Sequence, residues 1–346
     1  MAGDLLKRAQ TEGTPLIDGD EATFVWHGKK PPHLIGDFTN WEDGEPVRLV
    51  RVAQQMWAAK LNVPQDAYLE YIFMQDDARL TDPFNPRTIP NGMGKINNYF
   101  FMPEGLPTPL SRRETGVARG TVTTHRIDTD DRAAGRLRKV YLYQPPVHEP
   151  CPLIVVWDGQ DYLRRARLPY IIDNLIAQGR IQPLALAMVA NGGQARLLEY
   201  GCNDITLTFL IEYVLPLASQ CLNLIDITRS PGSFAVLGAS MGGLMALYTG
   251  LRLPHIFGKV LSQSGAFSIE DYDTVVYDLI QMGEPKPLQI WMDVGKFEEL
   301  LETNRRMSQA LQAAGYPVIY REYNAGHNYP AWRDDLWRGI EALFGI

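Results

Sequence analysis

The chain has 346 residues and a mass of 39.0 kDa, which exceeds the usual limit for one hydrophobic core and is typical of two domains. With 45% hydrophobic and 21% charged residues, the composition excludes a disordered chain, a collagen-like sequence and a coiled coil. The formal net charge of −7 argues against general binding to nucleic acid or anionic membranes, because both need a basic protein surface.

The cysteine content and the amino terminus bear on the cellular compartment. The three cysteines are an odd number without metal-binding or redox spacing, which favours a reducing compartment. The amino-terminal residues lack the apolar core of a secretory signal, and no apolar run is long enough to span a bilayer. We therefore expect a cytoplasmic protein that binds neither nucleic acid nor membrane.

Residues 23–102 contain short alternating segments separated by clusters of Gly, Pro, Asn and Asp, a pattern that predicts an antiparallel β-sandwich. The predicted strands are TFVWHG, PHLIGDF, QMWAAKLNVP, YLEYIFMQDD and INNYFFM. The stretch 103–120 is rich in Pro, Gly and charged residues, as linkers are. We predict a small all-β domain over 1–102, a linker over 103–120 and a second domain over 121–346.

From residue 121 onward, apolar runs alternate with amphipathic helical stretches, which predicts an α/β domain with a mostly parallel sheet flanked by helices. The apolar runs are PLIVVW, LALAMVA, FAVLGAS, KVLSQSG and QIWMDVG. The helical stretches lie near residues 168–178, 206–219, 241–253, 300–314 and 331–344. This alternation distinguishes the second domain from the first.

The segment Gly238-Ala239-Ser240-Met241-Gly242 fits the pattern G-x-S-x-G between a predicted strand and a predicted helix. Small residues two positions to either side of the serine allow the sharp, strained turn that lifts its hydroxyl above the sheet. The N–H of Met241, at the helix start, would donate a hydrogen bond to an oxyanion. The pattern predicts a nucleophilic serine, and the alternative is a glycine-rich turn with an idle serine.

A serine nucleophile needs a base and an acid, which follow it in the chain order serine, acid, histidine. Of the six histidines, His327 alone lies late, between a predicted strand and the last helix. Glu298 follows the strand QIWMDVG, beyond its predicted end at Gly295, and is favoured as the acid on this position. Asp293, inside the same predicted strand, is the alternative acid. We predict a catalytic triad of Ser240, Glu298 and His327.

The loops after two earlier strands supply the remaining candidates, because ligands of open α/β sheets bind at the carboxyl ends of the strands. The N–H of Gln160 is the predicted second oxyanion donor. The predicted substrate contacts are Gly159, Tyr162, Arg164 and Arg196. The alternatives are a solvated face for the arginines and, for Arg196, an ion pair with Glu199.

Together these residues resemble the enterochelin-esterase and feruloyl-esterase group of α/β-hydrolases. The resemblance covers about residues 121–346, and its most specific segments are LGASMGGLMAL, FGKVLSQSGAF, RLLEY and DVGKFEELLETNRRMSQALQAAGYPVIYREYNAGHNYPAWRDDL. In that group the acid stands three residues after the glycine that ends the strand, which corresponds to Glu298, although family members often have Asp there. The resemblance implies the α/β-hydrolase fold and a serine esterase that needs no metal or organic cofactor.

The first domain resembles the early-set immunoglobulin-like modules that precede bacterial enterochelin esterases and glycogen-branching enzymes. The matching segments are HLIGDFTNW, DPFNP and GKINNYFF. In starch-binding relatives, two tryptophans and a lysine hold the glucose rings. Here Trp41 keeps one tryptophan, but Arg79 replaces the second and Ile72 stands near the place of the lysine. We therefore expect Trp41 to pack in a domain interface rather than to bind glycan.

The resemblance implies a small ester substrate, and the arginines and the two-domain order favour an anionic catecholate siderophore trilactone. A feruloyl or acetyl ester of plant polysaccharide is the alternative substrate. A serine peptidase is disfavoured, because about 100 residues of sandwich cannot supply the propeller of prolyl-oligopeptidase relatives. A non-catalytic glycan-binding or scaffold protein is the alternative from a different class. A homodimer is compatible with the sequence.

Overall fold

The computed structural model of the protein describes residues 2–128, 137–269 and 272–346. By their contacts, the residues form two compact units. Unit 1 comprises Met1–Pro107, Gly295–Glu299 and Glu322–Ala331, and unit 2 comprises Thr108–Val294, Leu300–Arg321 and Trp332–Ile346. Both units are therefore discontinuous in sequence, whereas the predicted domain bounds of 1–102, 103–120 and 121–346 describe continuous segments and stay a prediction.

Unit 1 begins with a helix, α1 (Ala2–Glu12), which is followed by short strands. They are β1 (Leu16–Asp18), β2 (Glu21–His27), β3 (His33–Gly36), β4 (Val47–Arg48), β5 (Val50–Ala53), β6 (Met56–Asn62), β7 (Tyr68–Gln75), β8 (Ala78–Leu80), β9 (Thr88–Pro90) and β10 (Ile96–Phe101). One sheet has the order β1-β2-β6-β5, and in a second sheet β7 pairs antiparallel with β3, β8 and β10. The five strands predicted here are confirmed as β2, β3, β6, β7 and β10.

The core of unit 1 is built from apolar side chains of both sheets, as in a β-sandwich. Phe24 from the first sheet meets Tyr71 and Phe100 from the second edge to face, with ring centroids 4.9 and 5.6 Å apart. All three rings are buried. The antiparallel sandwich is thus as predicted, and its assignment to the early-set immunoglobulin-like modules stays a prediction.

Unit 2 contains most of a long sheet. Its strands are β11 (Thr121–Asp128), β12 (Leu137–Gln144), β13 (Leu153–Val156), β14 (Ala185–Val189), β15 (Phe234–Ala239), β16 (Phe257–Gln263), β19 (Gln289–Phe297) and β20 (Val318–Gly326), with a small ribbon of β17 (Ser268–Ile269) and β18 (Tyr272–Asp273). The last residues of β19 and β20 belong to unit 1. The order is β11-β12-β14-β13-β15-β16-β19-β20. Each neighbouring pair in the series β14-β13-β15-β16-β19 is parallel. Strand β12 pairs antiparallel with both of its neighbours, β11 and β14.

The helices of unit 2 connect these strands. They are α2 (Gly159–Arg164), α3 (Leu168–Ala177), α4 (Arg196–Tyr200), α5 (Asp204–Phe209), α6 (Leu215–Cys221), α7 (Met241–Arg252), α8 (Val276–Gln281), α9 (Leu301–Ala313) and α10 (Tyr329–Phe344), the first turn of which belongs to unit 1. The helix predicted near 206–219 is divided into α5, a π-helical turn over Leu210–Val214 and α6. The other four predicted helices coincide with α3, α7, α9 and α10.

The predicted linker is partly packed. Pro109–Ser111 forms a short 3₁₀ helix in which Leu110 and Ser111 are buried. The side-chain amide of Asn174 in α3 donates to the carbonyl oxygens of Leu110 and Arg112 at 2.7 and 2.9 Å. This half of the stretch is therefore fixed to unit 2 rather than free.

The parallel strands of unit 2 bring the segment after β13 close to the segment after β15. Strands β13 and β15 are hydrogen-bonded neighbours that run in the same direction, so the segments that follow them meet at one edge of the sheet. The predicted α/β class is confirmed. In the parts of the chain that the structure describes, no helix combines the length and apolarity needed to cross a membrane.

Candidate active site

Ser240 occupies a strained turn between β15 and α7. Its backbone angles are φ 59° and ψ −126°, a region that non-glycine residues rarely adopt and that costs on the order of 1–3 kcal/mol. Its N–H donates to the carbonyl oxygen of Gln263 at 2.9 Å, and its own carbonyl oxygen accepts from the N–H of Ala266 at 3.1 Å. The neighbouring chain thus holds the serine in the turn that the G-x-S-x-G pattern predicts.

Close packing explains the glycines around Ser240. A Cβ atom on Gly238 would lie 2.2 Å from the carbonyl oxygen of Gly242, and one on Gly243 would lie 2.7 Å from Ser262 Oγ. A Cβ atom on Gly242 would lie 3.1 Å from an oxygen of Asp158. Gly238 therefore allows the turn to close on itself, and the glycines at 242 and 243 allow it to lie close to neighbouring segments.

The two predicted oxyanion donors lie at helix starts. Met241 is the first residue of α7, and Gln160 is the second residue of α2. The first N–H groups of a helix have no partner within that helix and carry its partial positive charge. The Gln160 side chain is fixed because its Oε1 accepts from the N–H of Asn191 at 3.1 Å. These positions support the predicted donors, whose roles stay predictions.

Gly159 allows a close approach of α2 to β14. A Cβ atom at this position would lie 2.2 Å from the carbonyl carbon of Met188. The glycine is therefore needed for packing between α2 and the sheet. Its predicted contact with substrate stays a prediction.

Asp158, which the sequence analysis did not single out, organises this edge of the sheet. The residue is 1% exposed and adopts a left-handed conformation with φ 55°. Its carboxylate accepts from Arg196 Nε and Nη2 at 2.8 and 2.7 Å, and its N–H donates to the hydroxyl of Tyr200 at 3.0 Å. Such a two-pronged pair fixes both partners. Its only sequence signal was its place directly after a buried strand.

Arg196 is therefore engaged within the protein. Its Nη2 also reaches the carbonyl oxygen of Ala239, next to Ser240, at 3.5 Å, a long contact. The alternative ion pair of Arg196 with Glu199 is wrong, because the Glu199 carboxylate pairs with Arg138 and both of those side chains are buried. Since Asp158 balances the charge of Arg196, this arginine supports the serine turn.

The remaining predicted contacts differ in exposure. Tyr162 is fully buried, and its hydroxyl donates to Gln263 Oε1 at 3.0 Å. Burial raises the pKa of this hydroxyl well above its ordinary value. This position favours packing over contact with substrate. Arg164, at the end of α2, is exposed. The substrate contacts of both residues stay predictions.

Glu298 and His327 face each other in unit 1. His327 Nδ1 lies 3.1 Å from Glu298 Oε2. The Glu298 side chain is completely buried, whereas that of His327 is 23% exposed. Strand β19 continues to Phe297, two residues beyond the predicted end, so Glu298 is the first residue after it. An Nδ1–H that donates to a carboxylate leaves Nε2 as the basic nitrogen.

Asp293, the alternative acid, has other partners in unit 2. The residue is buried within β19. Its carboxylate accepts from Trp291 Nε1 at 2.8 Å and lies 3.3 Å from the side-chain amide nitrogen of Gln263. The geometry therefore supports Glu298 as the acid that orients His327. The structure brings Glu298 and His327 together in unit 1, and it places Ser240 in unit 2.

A cavity of about 480 Å³ in unit 1 has His327 in its wall. Trp41, which we expected to pack in a domain interface, lines this cavity, and the guanidinium of Arg79 lies 5.6 Å from the centre of its ring. Arg79 in turn pairs with Glu42 at 2.7 Å. The buried carboxylic acid Asp37 also lines the cavity. Sequence reasoning missed Asp37, because it lies about 290 positions from His327.

Comparison with known proteins identifies relatives of this chain. The iron(III) enterobactin esterase of Dickeya dadantii (strain 3937) is 32% identical over 226 residues, which are 60% of this chain. The chain spans about half of that relative, since the match covers 51% of its length. The iron(III) salmochelin esterase of Escherichia coli O6:H1 is 25% identical in a match that covers 99% of this chain and 93% of the relative.

Among solved structures, the ferric enterobactin esterase of Salmonella typhimurium has a TM-score of 0.80 at 20% identity, with 95% of each chain covered. This likeness confirms the predicted α/β-hydrolase fold. The family model described as "Putative esterase" matches residues 132–343, well over half of the chain. The chain therefore belongs to this esterase family.

Proposed function

We propose that the protein is a serine carboxylic ester hydrolase that acts through an acyl-enzyme on a catecholate siderophore ester. The observation that carries this proposal is the strained turn at Ser240, closed by Gly238 and Gly242 at the start of α7. Membership of an esterase family supports the reaction class. Relatives named as esterases of iron(III) enterobactin and iron(III) salmochelin support the substrate class.

In the proposed reaction, Ser240 Oγ attacks the ester carbonyl carbon while His327 Nε2 accepts the hydroxyl proton. The N–H groups of Met241 and Gln160 donate to the oxyanion of the tetrahedral intermediate. When this intermediate collapses, the bond from carbonyl carbon to alcohol oxygen breaks, and His327 returns the proton to the leaving oxygen. Water then attacks the acyl-enzyme with His327 as base, which releases the acid and restores Ser240.

Glu298 orients the imidazole and stabilises its protonated form in this proposal. Its carboxylate is buried and lies at Nδ1, the nitrogen that does not exchange the proton with serine. Asp293 is less suited to this role, because its oxygens already accept from Trp291 and face Gln263.

Arg164 is the arginine that we assign to an anionic substrate. It is exposed near the turn that carries Gln160, whereas the charge of Arg196 is balanced by Asp158. We place the reaction in the cytoplasm, since the cysteine content favours a reducing compartment. A small-molecule ester that enters this compartment is a more accessible substrate than a polymer outside the cell.

The first experiment compares hydrolysis of a short-chain nitrophenyl ester by the wild type, Ser240→Ala and Ser262→Ala. Ser262 is a buried serine in the neighbouring strand β16 and serves as the matched control. We expect Ser240→Ala to lose at least about 1,000-fold in kcat, and Ser262→Ala to retain activity. Equal activity of the wild type and Ser240→Ala would remove the serine mechanism.

The second experiment compares substrates at equal enzyme concentration. Iron(III) enterobactin, methyl ferulate and acetylated xylo-oligosaccharides are incubated with the enzyme, and the released products are measured by chromatography. We expect the highest kcat/KM with iron(III) enterobactin and a lower kcat/KM with Arg164→Gln on that substrate. A higher kcat/KM with the ferulate or the acetylated sugar would replace the siderophore by a plant-polysaccharide ester.

A further inference from the structure

The segments that carry Glu298 and His327 are held by amino-terminal residues of unit 1. Ala325, two residues before His327, pairs with Tyr68 of β7. The side-chain amide of Asn324 donates to Asp66 Oδ1 at 2.6 Å. Phe297, directly before Glu298, packs against the apolar core of the sandwich. The position of the acid–histidine pair therefore depends on residues that are more than 200 positions away in the sequence.

Asp37 is a buried carboxylic acid that contacts the His327 loop. It begins a short 3₁₀ turn after β3 and is 3% exposed. Its Oδ1 accepts from Trp41 Nε1 at 3.0 Å, and its Oδ2 accepts from the N–H of Glu70 at 2.8 Å. Donors from two sides thus fix the orientation of the carboxyl group.

The Asp37 carboxyl group contacts the chain on both sides of His327. A Cβ atom on Gly326 would lie 2.1 Å from Asp37 Cγ, so the carboxyl lies directly against the backbone at this glycine. On the other side, Asn328 Nδ2 lies 3.5 Å from Asp37 Oδ2. Asn328 Oδ1 also accepts from the N–H of Ala331 at 3.0 Å, which joins the loop to the start of α10.

Electrostatics also connect Asp37 with the acid–histidine pair. Burial raises the pKa of Asp37 well above its ordinary value, and the nearby charges of Glu70 and Glu298 raise it further. A raised pKa favours the neutral carboxyl group, which reduces the repulsion between Asp37 and these two acidic residues.

We infer that Asp37 is a positioning residue for catalysis: its carboxyl group fixes the backbone on both sides of His327 and thereby holds the imidazole against Glu298. The inference rests on the proposed function, in which His327 is the base. A base that is displaced by about 1 Å can lower the rate of the chemical step about 100-fold without weakening substrate binding. Asp37 therefore affects kcat more than KM.

The test compares Asp37→Ala and Asp37→Asn with the same substitutions at Asp82. Asp82 is an equally buried carboxylic acid of unit 1, whose carboxylate accepts from the hydroxyls of Thr14 and Tyr71, both at 2.7 Å. Measurements are the unfolding temperature, kcat and KM for a nitrophenyl ester, and the rate at which a fluorophosphonate labels Ser240. The labelling rate reports the activated serine without a need for turnover.

We expect Asp37→Ala to lower kcat and the labelling rate about 10- to 100-fold with little change in KM. Asp37→Asn keeps the volume and one acceptor, so it should recover part of this loss. The Asp82 variants should lower the unfolding temperature and leave kcat within about 3-fold of the wild type. If Asp37→Ala keeps wild-type kcat, or if the Asp82 variants lose kcat equally, Asp37 has only a structural role.

A second comparison keeps the test decisive if Asp37→Ala does not fold. Gly326→Ala would force its new methyl group against the Asp37 carboxyl and displace the loop, so it should also lower kcat. In the double variant with Asp37→Asn, the loss of kcat should differ from the sum of the two single losses, expressed as free energies, because both substitutions disturb the same contact. Additive losses would overturn the inference. Ser240→Ala tests the proposed function separately: activity that survives it removes the serine mechanism, whatever Asp37 does.

Discussion

The serine turn and the His327 loop are held in place by different kinds of interaction. The conformation of Ser240 comes largely from its own neighbours in sequence, through the close approach of Gly238 to Gly242 and the start of α7, and hydrogen bonds to Gln263 and Ala266 hold it in place. His327 is fixed by residues distant in sequence, among them Asp37 and Tyr68. A pattern of five residues describes the conformation of the first region, whereas the second region depends on the completed fold of unit 1.

Because of this difference, different substitutions disrupt the two regions. A local turn fails when a glycine within it gains a side chain, because the clash is with backbone atoms that cannot move independently. A loop held from a distance fails when its supporting residues change, even though its own sequence is intact. The residues of the proposed triad therefore differ in the kind of substitution to which they are sensitive.

The largest effect should follow from removing the histidine itself. We expect His327→Ala to lower kcat at least about 1,000-fold, since no other group would accept the proton from Ser240. Fluorophosphonate labelling should slow in parallel. His125→Ala is the control, because His125 lies in β11 and contacts Thr123; equal losses for both histidines would contradict the assignment.

The next effect separates the two candidate acids. Glu298→Gln should lower kcat about 100-fold or more, because an amide cannot stabilise the imidazolium. Asp293→Asn should act mainly on stability, through its bond to Trp291. Steady-state kinetics and thermal unfolding of both variants decide the matter. If Asp293→Asn loses more kcat than Glu298→Gln, the acid is Asp293.

A smaller effect tests the local turn. Gly238→Ala places a methyl group 2.2 Å from the carbonyl oxygen of Gly242 and should destabilise the fold by about 1–3 kcal/mol while lowering kcat about 10-fold. Gly179→Ala is the control, since Gly179 has a positive φ of 65° with open space around it. We expect that control to lower the unfolding temperature alone. Unchanged kcat in Gly238→Ala would mean that the turn adapts.

The smallest effect concerns one support of the His327 loop. Asn324→Ala removes the 2.6 Å bond to Asp66, which is exposed and should contribute about 0.5–1.5 kcal/mol. Because β7 still pairs with Ala325, kcat should fall no more than about 3-fold. Asp66→Ala should give the same result, and the double variant should equal either single one. A far larger loss in kcat would assign this bond a role comparable to that of Asp37.

The strands and helices of unit 2 and the turn at Ser240 could be predicted from the sequence, because their signals are local. Alternation of apolar runs with amphipathic stretches identifies strands and helices, and the spacing around Ser240 describes a strand, a turn and a helix. The chain order then limited the search for the histidine to His327. Glu298 was favoured over Asp293 as the acid because it lies beyond the predicted end of the strand. Its contact with His327 supports that choice.

The supporting residues were not predictable, because nothing local distinguishes them. Asp158 was one polar residue in a loop, and its pairing with Arg196 joins segments 38 positions apart. The alternative that Arg196 pairs with Glu199 is consistent with their spacing of three positions on a helix. It failed because buried Arg138, from a different strand, is the partner of Glu199. Contacts between distant segments require the fold itself.

The discontinuity of unit 1 has a consequence for biosynthesis. Its first segment, Met1–Pro107, is synthesised well before its last segments, Gly295–Glu299 and Glu322–Ala331. Domains made early during translation can begin to fold before the chain is complete. Here the contacts of the sandwich with His327, the proposed base, can form only after the segment Glu322–Ala331 has been synthesised. In the proposed mechanism, a nascent chain therefore lacks its base until His327 has been synthesised, and premature termination anywhere before His327 yields a protein without that base.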